Sequence, residues 1–503
     1  MIETEALKRT NPEQYNAYLM IAKTSHSFFL TGKAGTGKTT FLRNICKEVP
    51  KNFLLLAPTG LAAMNLGGQT IHSFFGFKFG VLGPGEIGVL GPGKISLIRH
   101  IDTIIIDEVS MVRCDIVDAI DFTMRHFLKS SQPFGGKQIV FVGDLFQLPP
   151  VVSRGVEKEL LADTYMTQNF FFYKANVIKR MRLAKIEFKK VYRQDTDEQF
   201  LQILENIRMN KITPENIMNL NTRVCEPSNE DGMVITLTSV NSTADNINQR
   251  KLDEIESQEY VYEGNIEGKF DAKRLPVDME LHLKVGAQVM LTRNDTQRRW
   301  ANGTIAKVAK LSDHEISIQL ENGDIHTLEC CSWDSYNYEY DKLAKRLKKS
   351  VIGTFTQYPI KLAWAITIHK SQGTTFDKVA LDLSRGMFAC GQLYVALSRV
   401  RSMNGLYLSR KIIPQYANTN SEVIKFAHGY NDDKLIKNEI ECGAAVYEFI
   451  KNNDFDNAAQ QYLLLIQKRA AAGDIKEALF LSKQFLDILV CDEDLYGCID
   501  EIP

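Results

Sequence analysis

Four short apolar runs punctuate the first third of the chain: SFFL (27–30), FLLLA (53–57), TIIID (103–107) and QIVFVGD (138–144). Near-continuous apolar runs of this length suit parallel strands buried on both faces, with helical stretches between them. Each run gives way at once to a polar turn. In an open α/β sheet, ligands bind beyond the carboxyl ends of the strands, so the turns belong on one rim. Between His72 and Lys94 the pattern breaks into a near-repeat, VLGPGEIG (81–88) followed by VLGPGKIS (89–96). Gly-Pro-Gly punctuation predicts turns rather than helix: either a surface β-hairpin or a small insertion on the nucleic-acid side.

A second α/β set is predicted from about Ile186, with strands at MVITLTS (233–239), GAQVMLT (286–292), KVALDL (378–383) and GLYLS (405–409). Residues 303–330 alternate apolar and polar positions around Asn322-Gly323, a hairpin signal that interrupts this set. From about residue 435 two amphipathic helical stretches follow, opening at Asp454-Phe455 and Asp474-Ile475. They look vaguely like a tetratricopeptide hairpin, but a packed helical tail is the simpler reading. No recognised motif falls there, so the tail is expected to be dispensable for the chemistry.

Composition narrows the class. The chain has 503 residues, 44% of them hydrophobic, enough for several cores. No apolar run reaches the ~18 residues of a membrane span. The polar N-terminus, MIETEALKRTNPEQ, lacks a signal-peptide core and predicts a cytoplasmic protein. Nine scattered cysteines without a C-x-x-C fit reduced thiols better than disulfides or zinc. The net charge of -1 conceals an asymmetry. From Asn431 onward there are 7 Lys+Arg against 15 Asp+Glu, a net of -8, which leaves the first 430 residues at +7. A mildly basic body can still track a phosphate backbone.

The strongest chemical signal is GKAGTGKT (32–39), a full G-x-x-x-x-G-K-[ST] between a strand and a helix. Its backbone N–H groups, from Gly32, Gly35, Thr36 and Gly37 on to Thr40, can cradle phosphates. Lys38 can reach the β- and γ-phosphates, and Thr39 can ligate magnesium. In IIIDEVS (104–110), Asp107 at a strand end can hold Mg2+ and Glu108 can polarise the attacking water. In VGDLFQLPPV (142–151), Gln147 can sense the γ-phosphate or position the water.

These segments resemble motifs I, II and III of the petite-integration-frequency (Pif) DNA helicases of superfamily one. The resemblance extends to APTGLAAMNLGGQTIHSFF (57–75), VYRQ (191–194), AWAITIHKSQGTTFDKV (363–379) and LYVALSRV (393–400), in the family's order over roughly residues 10–410. It implies an adenine-reading role for Gln14 and γ-phosphate contacts from Arg193 and Arg399. It places Gly373 in the motif that links nucleotide to DNA. It further implies DNA contacts from Pro58, Thr59, Thr70, His72, His369, Lys370 and Ser371. His72 with Phe74 and Phe75 offers rings to stack on bases, although Phe74 and Phe75 fit a core equally well. The basic runs KRMRLAKIEFKK (179–190) and KLAKRLKK (342–349) are candidates for the DNA path, or simply solvated faces.

The expected architecture is an α/β fold of two RecA-like P-loop domains, with a small inserted β-barrel domain and a helical C-terminal extension. The first domain takes 1–185 with an insertion at about 76–97. The second takes 186–294 and 352–430, the inserted barrel 295–351 and the acidic extension 431–503. The expected activity is ATP-dependent translocation on single-stranded DNA. The 5′→3′ direction comes from the resemblance alone. ATP and Mg2+ are the cofactors. Single-stranded and forked DNA are the partners, with G-quadruplexes and RNA–DNA hybrids as further candidates, and the protein is expected to be a monomer off the membrane. A RecD-like, relaxase-associated or RNA-directed motor of the same superfamily, and a non-motor P-loop switch, remain as alternatives at this point.

Overall fold

The computed structural model describes residues 4–496 apart from 34, 79, 84, 153–154, 191, 193–196, 229–230, 273–274, 342, 345, 388 and 453, with backbone alone at 4–6, 61 and 487–496. The four apolar runs form β1 (Phe28–Gly32), β2 (Phe53–Ala57), β4 (Thr103–Ile106) and β5 (Gln138–Val142), every residue of them buried. With β3 (Gln69–Thr70) and β6 (Ala184–Phe188) they make one parallel sheet in the order β3-β2-β4-β5-β1-β6. One face packs Phe29, Leu54, Ile104 and Phe141, the other Phe28, Leu30, Ile105 and Val140. Burying each such side chain contributes about 1.5–3 kcal/mol. β6 pairs with β1 from Phe28↔Ala184 to Gly32↔Phe188. The first domain therefore extends past the expected boundary at 185.

The segment 76–97 contains no strand among its described residues. Around the first copy, Glu86 N–H donates to Gly83 O at 3.1 Å, whereas the second Gly-Pro-Gly opens the helix Pro92–His100. Proline suits the first helical turn, where its missing N–H has no partner to lose. The following Leu97 and Ile98 reach the core, and so do Leu82 and Leu90, one from each repeat. The segment is pinned to the helix Cys114–Leu128: Leu82 N–H donates to Asp115 at 3.0 Å and Gly88 N–H to Thr123 Oγ1 at 2.8 Å.

A second parallel sheet runs β18 (Ala365–Thr367), β7 (Ile235–Thr238), β19 (Val379–Leu381), β20 (Leu406–Leu408). Between β7 and β18 the chain makes an antiparallel excursion wider than the expected 295–351. It comprises β8 (Glu259–Glu263), β9 (Asn265–Gly268), β10 (Glu280–Lys284), β11 (Gln288–Leu291), β12 (Ile305–Ser312), β13 (Glu315–Leu320), β14 (Ile325–Leu328), β15 (Cys331–Asp341), β16 (Arg346–Gln357) and β17 (Ile360–Leu362). GAQVMLT belongs here as β11, between β12 and β17, not in the second parallel sheet. Val289 and Leu291 of its run are buried in a separate core with Leu252, Leu283 and Ile318, while Met290 belongs to the main core. The excursion forms open sheets β10-β8, β14-β13-β12-β11-β17 and β15-β16-β9, rather than the expected closed barrel. The β15–β16 hairpin reaches back to the first domain. Gln69 Nε2 donates to Tyr336 O, Lys349 Nζ to Gly67 O and Leu347 N–H to Asn52 Oδ1, and His100 stacks on Tyr340. In the run 342–349, Lys349 is thus engaged by the first domain.

The tail forms helices Asp433–Lys451, Phe455–Ala471 and Ile475–Tyr496. It is not a loose appendage. Ile436 enters the core behind β1 and β6. The run 179–190 explains the docking. Arg182 donates from Nε to Glu439 at 2.5 Å and from both Nη atoms to Glu477 at 2.6 and 2.9 Å, under the ring of Phe480. Lys185 donates to Phe426 O at 2.9 Å. Arg182 thus holds the tail and Lys185 the segment just before it, so these two are not free to face DNA, whereas Lys179, Arg180, Lys189 and Lys190 are exposed. Among the described residues no helix is long and apolar enough to cross a membrane.

Candidate nucleotide and DNA site

The P-loop leaves β1 and enters the helix Lys38–Glu48. Two glycines permit it. A Cβ on Gly32 would lie 2.6 Å from Thr36 Oγ1. Gly37 caps the helix at φ +79, a left-handed geometry that side chains rarely adopt. Lys38 Nζ donates to the carbonyls of Gly32 at 2.5 Å and Lys33 at 3.2 Å. Burial lowers its pKa, against Asp144, Glu108 and Asp107, which favour the charged form.

A cavity of about 250 Å³ opens at this point. Gly35, Thr36, Gly37, Lys38, Thr39 and Thr40 line it from the loop, and Asp107, Glu108 and Gln147 from the ends of β4 and β5. Gly373 and Arg399 line it from the second domain. Glu108 has a left-handed backbone, φ 50 and ψ 42. Non-glycine residues held there cost about 1–3 kcal/mol, a strain concentrated at functional sites. Burial, and then Asp107 beside it, push the Glu108 carboxyl up to about 7. Burial also raises Asp107, opposed by the Glu108 N–H and by Lys38. The Thr39 hydroxyl and the Asp107 carboxylate are hard oxygen donors facing one cavity. Among the described residues no group of three or more His, Cys, Asp or Glu could hold a metal alone. That set still fits Mg2+, which in nucleotide sites takes one or two protein oxygens and completes its shell with phosphates and water.

Arg399 is 1% exposed. Its guanidinium donates to Val395 O at 3.0 Å, Ser371 O at 3.3 Å, Thr374 O at 3.0 Å and Ser398 Oγ at 2.8 Å. Arg193 lies outside the described residues. Gln14 stands at the edge of the site, its Nε2 3.9 Å from where a Cβ on Gly37 would be. The two domains touch directly where Gln372 Nε2 donates to Gln147 Oε1 at 3.3 Å.

The expected DNA residues divide into two groups. Pro58 and Thr59 follow β2, and Thr59 caps the helix Gly60–Leu66 by accepting Ala62 N–H at 3.3 Å. Thr70 caps the helix Ile71–Phe75 through Ser73 N–H. His72 is half-buried, edge-on to Phe77. His369 is half-buried, with its pKa lowered by burial, and Lys370 is exposed. Phe74 and Ser371 differ from expectation. Phe74 is 1% exposed and packed edge-on against Phe75, which leaves no ring face for a base. Ser371 is fully buried and its hydroxyl donates to Ile368 O at 2.8 Å. Both are core here.

Three residues were missed. Asp144 follows β5 as Asp107 follows β4 and lines the same cavity, a signal present in VGDLFQLPP. Tyr192, next to Arg193, donates its N–H to Gly35 O at 3.1 Å, and its ring lies 3.6 Å from a Cβ placed on Gly37. Arg208 ends the amphipathic helix Glu198–Arg208 and carries no motif.

Comparison with known proteins agrees with this arrangement. The sequence profile of the PIF1-like helicases matches residues 9–217. The ATP-dependent DNA helicase Pif1 of Bdellovibrio bacteriovorus is 33% identical over 409 residues, covering 79% of this chain and 87% of that one. The same-named protein of Campylobacter jejuni is 32% identical, with 80% and 94% covered. Among solved structures, Bacteroides sp Pif1 in complex with ADP-AlF4 is 38% identical, with a TM-score of 0.78 over 83% of this chain and 96% of that one. Bacteroides Pif1 bound to ssDNA superposes with a TM-score of 0.60 over 84% and 97%. With a P-loop, paired strand-end carboxylates and a second-domain arginine around one cavity, and with relatives matched over most of their length, this chain belongs to the PIF1-like helicase family.

Proposed function

We propose that the chain is an ATP-dependent DNA helicase that steps along single-stranded DNA in the 5′→3′ direction. The observation that carries this is the meeting of Lys38, Asp107, Glu108 and Gln147 from the first domain with Gly373 and Arg399 from the second, around one cavity. A switch that only binds nucleotide needs the P-loop. It has no need of a strained carboxylate and a second-domain guanidinium as well.

The chemistry follows from placement. Lys38 exchanges its carbonyl partners for the β- and γ-phosphate oxygens. Glu108 takes a proton from the attacking water, for which a carboxyl tuned towards neutrality is suited. Gln147 orients that water, and Arg399, with Arg193, balances charge developing on the transferred phosphoryl group. Thr39 and Asp107 would hold Mg2+, which would screen the phosphate charge. Because Gln147 also meets Gln372, loss of the γ-phosphate alters a contact between domains, and alternating grip on the strand turns that change into a step. Pro58, Thr59, Thr70, His72, His369 and Lys370 line the strand's path.

Bacteroides Pif1 has been solved bound to ssDNA, and a further solved structure, 38% identical, concerns DNA unwinding at forked dsDNA by Pif1 helicases, which supports those DNA forms as substrates here. G-quadruplexes and RNA–DNA hybrids are further substrates on this reading, and the free protein is a cytoplasmic monomer. The test is ATP-dependent unwinding of duplexes carrying a 5′ or a 3′ single-stranded tail, in DNA and in RNA, with Lys38→Ala as control. Unwinding of the 5′-tailed DNA alone, abolished in folded Lys38→Ala, is expected. ATP hydrolysis indifferent to DNA, or normal turnover by Lys38→Ala, overturns the reading.

A further inference from the structure

Arg208 is 4% exposed, too costly a place for a guanidinium without compensation. Glu205 on its own helix lies 3.8 Å away, and the rest of its compensation comes from the other domain. Nη2 donates to Glu187 Oε1 of β6 at 2.9 Å and lies 3.8 Å from Asp144 Oδ1 in the loop after β5. The guanidinium sits 4.1 Å from the Phe146 ring centre in that loop. One turn earlier on the same helix, Glu205 pairs with Lys33 of the P-loop at 2.7 Å. The helix Glu198–Arg208 is therefore pinned to the first domain at the two loops that face the nucleotide.

Its other side meets the second domain. Phe200, Ile203 and Leu204 are buried, and the helix packs against Gln392–Leu397, the helix that leads directly to Arg399. Asp144 is itself bonded to the phosphate-facing loop. It accepts Phe146 N–H at 3.2 Å and Gln147 Nε2 at 3.4 Å. A continuous path runs from Gln147 through Asp144 and Arg208 to the Arg399 helix, and no member of it after Asp144 lines the nucleotide cavity until Arg399.

We propose that Arg208 is a positioning residue that couples the γ-phosphate-facing loop to the helix presenting Arg399, so that DNA-stimulated turnover depends on it although it touches neither ATP nor DNA. The inference rests on the motor reading above. A guanidinium suits the role because its spread charge reaches Glu187 and Asp144 while its flat face lies over the Phe146 ring, a stacking that an ammonium lacks the plane to reproduce.

The experiment compares wild type, Arg208→Lys, Arg208→Gln, Asp144→Asn and the Arg208→Gln/Asp144→Asn pair. It reads melting temperature, ATPase rate with and without single-stranded DNA, and KM for ATP. Expected for Arg208→Gln is a DNA-stimulated kcat lowered about tenfold or more, with KM within about threefold and the DNA-free rate little changed. Arg208→Lys should fold and recover only part of the loss. The double variant should be no slower than the slower single variant, because the two residues act in series. If Arg208→Gln does not fold, Arg208→Lys decides: wild-type stimulated turnover in it overturns the proposal. Equal losses of stimulated rate, DNA-free rate and ATP affinity also overturn it, since they describe a residue that only holds the fold. A wild type with no DNA-stimulated hydrolysis defeats the motor reading and this inference together. A stimulated wild type with unaffected variants defeats the inference alone.

Discussion

Replacing Arg182 with alanine should loosen the C-terminal helices from the first domain. The side chain is 22% exposed and joins Glu439 and Glu477, which are 2% and 6% exposed. Removing it leaves Glu477 without this partner and Glu439 with His26, whose Nδ1 lies 2.7 Å away. Breaking a buried pair from one side costs about 3–5 kcal/mol. The partial exposure of Arg182 points to the lower end, about 3 kcal/mol. At ~2–4 °C per kcal/mol for a domain of 150–250 residues, the first domain's transition should fall by roughly 6–12 °C. Thermal melting followed by circular dichroism measures this, and hydrogen exchange should show the tail helices losing protection. Burial alone would raise the Glu439 carboxyl, but His26 and Arg182 hold it below its ordinary value of 4.5. A depressed carboxyl adds stability above that value and loses it as pH falls through its folded one. Docking should therefore weaken in acid, and less steeply in Glu439→Gln. An Arg182→Ala protein melting within about 2 °C of wild type would refute this ion-pair account of docking. The same contacts revise where the tail can be cut: ending at Asn431 strips Ile436 from the core, whereas ending at Asn452 keeps that helix and should keep ATP hydrolysis.

Glu108→Gln should retain ATP and DNA binding while hydrolysis falls about 10²–10⁴-fold, the usual worth of a general base; loss of nucleotide binding in an equilibrium assay would instead make Glu108 structural. Arg193→Ala should cut DNA-stimulated hydrolysis by about 10³–10⁵-fold with ATP affinity largely kept, measured by steady-state turnover and nucleotide titration. Arg399→Lys should lose a similar factor and also melt earlier, because an ammonium cannot serve the four acceptors now bonded to the guanidinium. A loss under tenfold in either variant would deny that residue a phosphate role.

The parallel strands of the first domain were readable because burial on both faces leaves unbroken apolar runs, as in FLLLA and TIIID. The nucleotide residues were readable because the P-loop works through backbone geometry that only a few residue types permit. GAQVMLT shows where this fails. Four buried residues in a row mark a central strand but not the sheet that owns it, and β11 went to the antiparallel excursion. The boundary expected at 185 falls inside strand β6 for the same reason, since pairing partners lie far apart in sequence. Phe74 beside Phe75 could be platform or core, and only the packing decides. Arg182 and Arg208 were invisible for another reason. A basic residue in a helix or a basic run reads as solvated until carboxylates from distant stretches of chain, Glu439 and Glu477 for Arg182 and Glu187 and Asp144 for Arg208, are found around it.

The two copies of Val-Leu-Gly-Pro-Gly, at 81–85 and 89–93, share five residues, yet only the second starts a helix among the described residues. Each sends its leucine to the same core, so both copies satisfy the demand that matters and differ only in the residues beyond them. Local sequence here is degenerate and position is informative. This stretch also lies off the strands, where the sheet order and the nucleotide rim do not depend on it. Loss or gain of one eight-residue unit would change how many leucine anchors this border carries while leaving the strand order β3-β2-β4-β5-β1-β6 as it is. A change of length at this border falls outside the strands that carry the rim, whereas a shift of a single residue inside β4 or β5 would move Asp107, Glu108 or Gln147 away from the cavity.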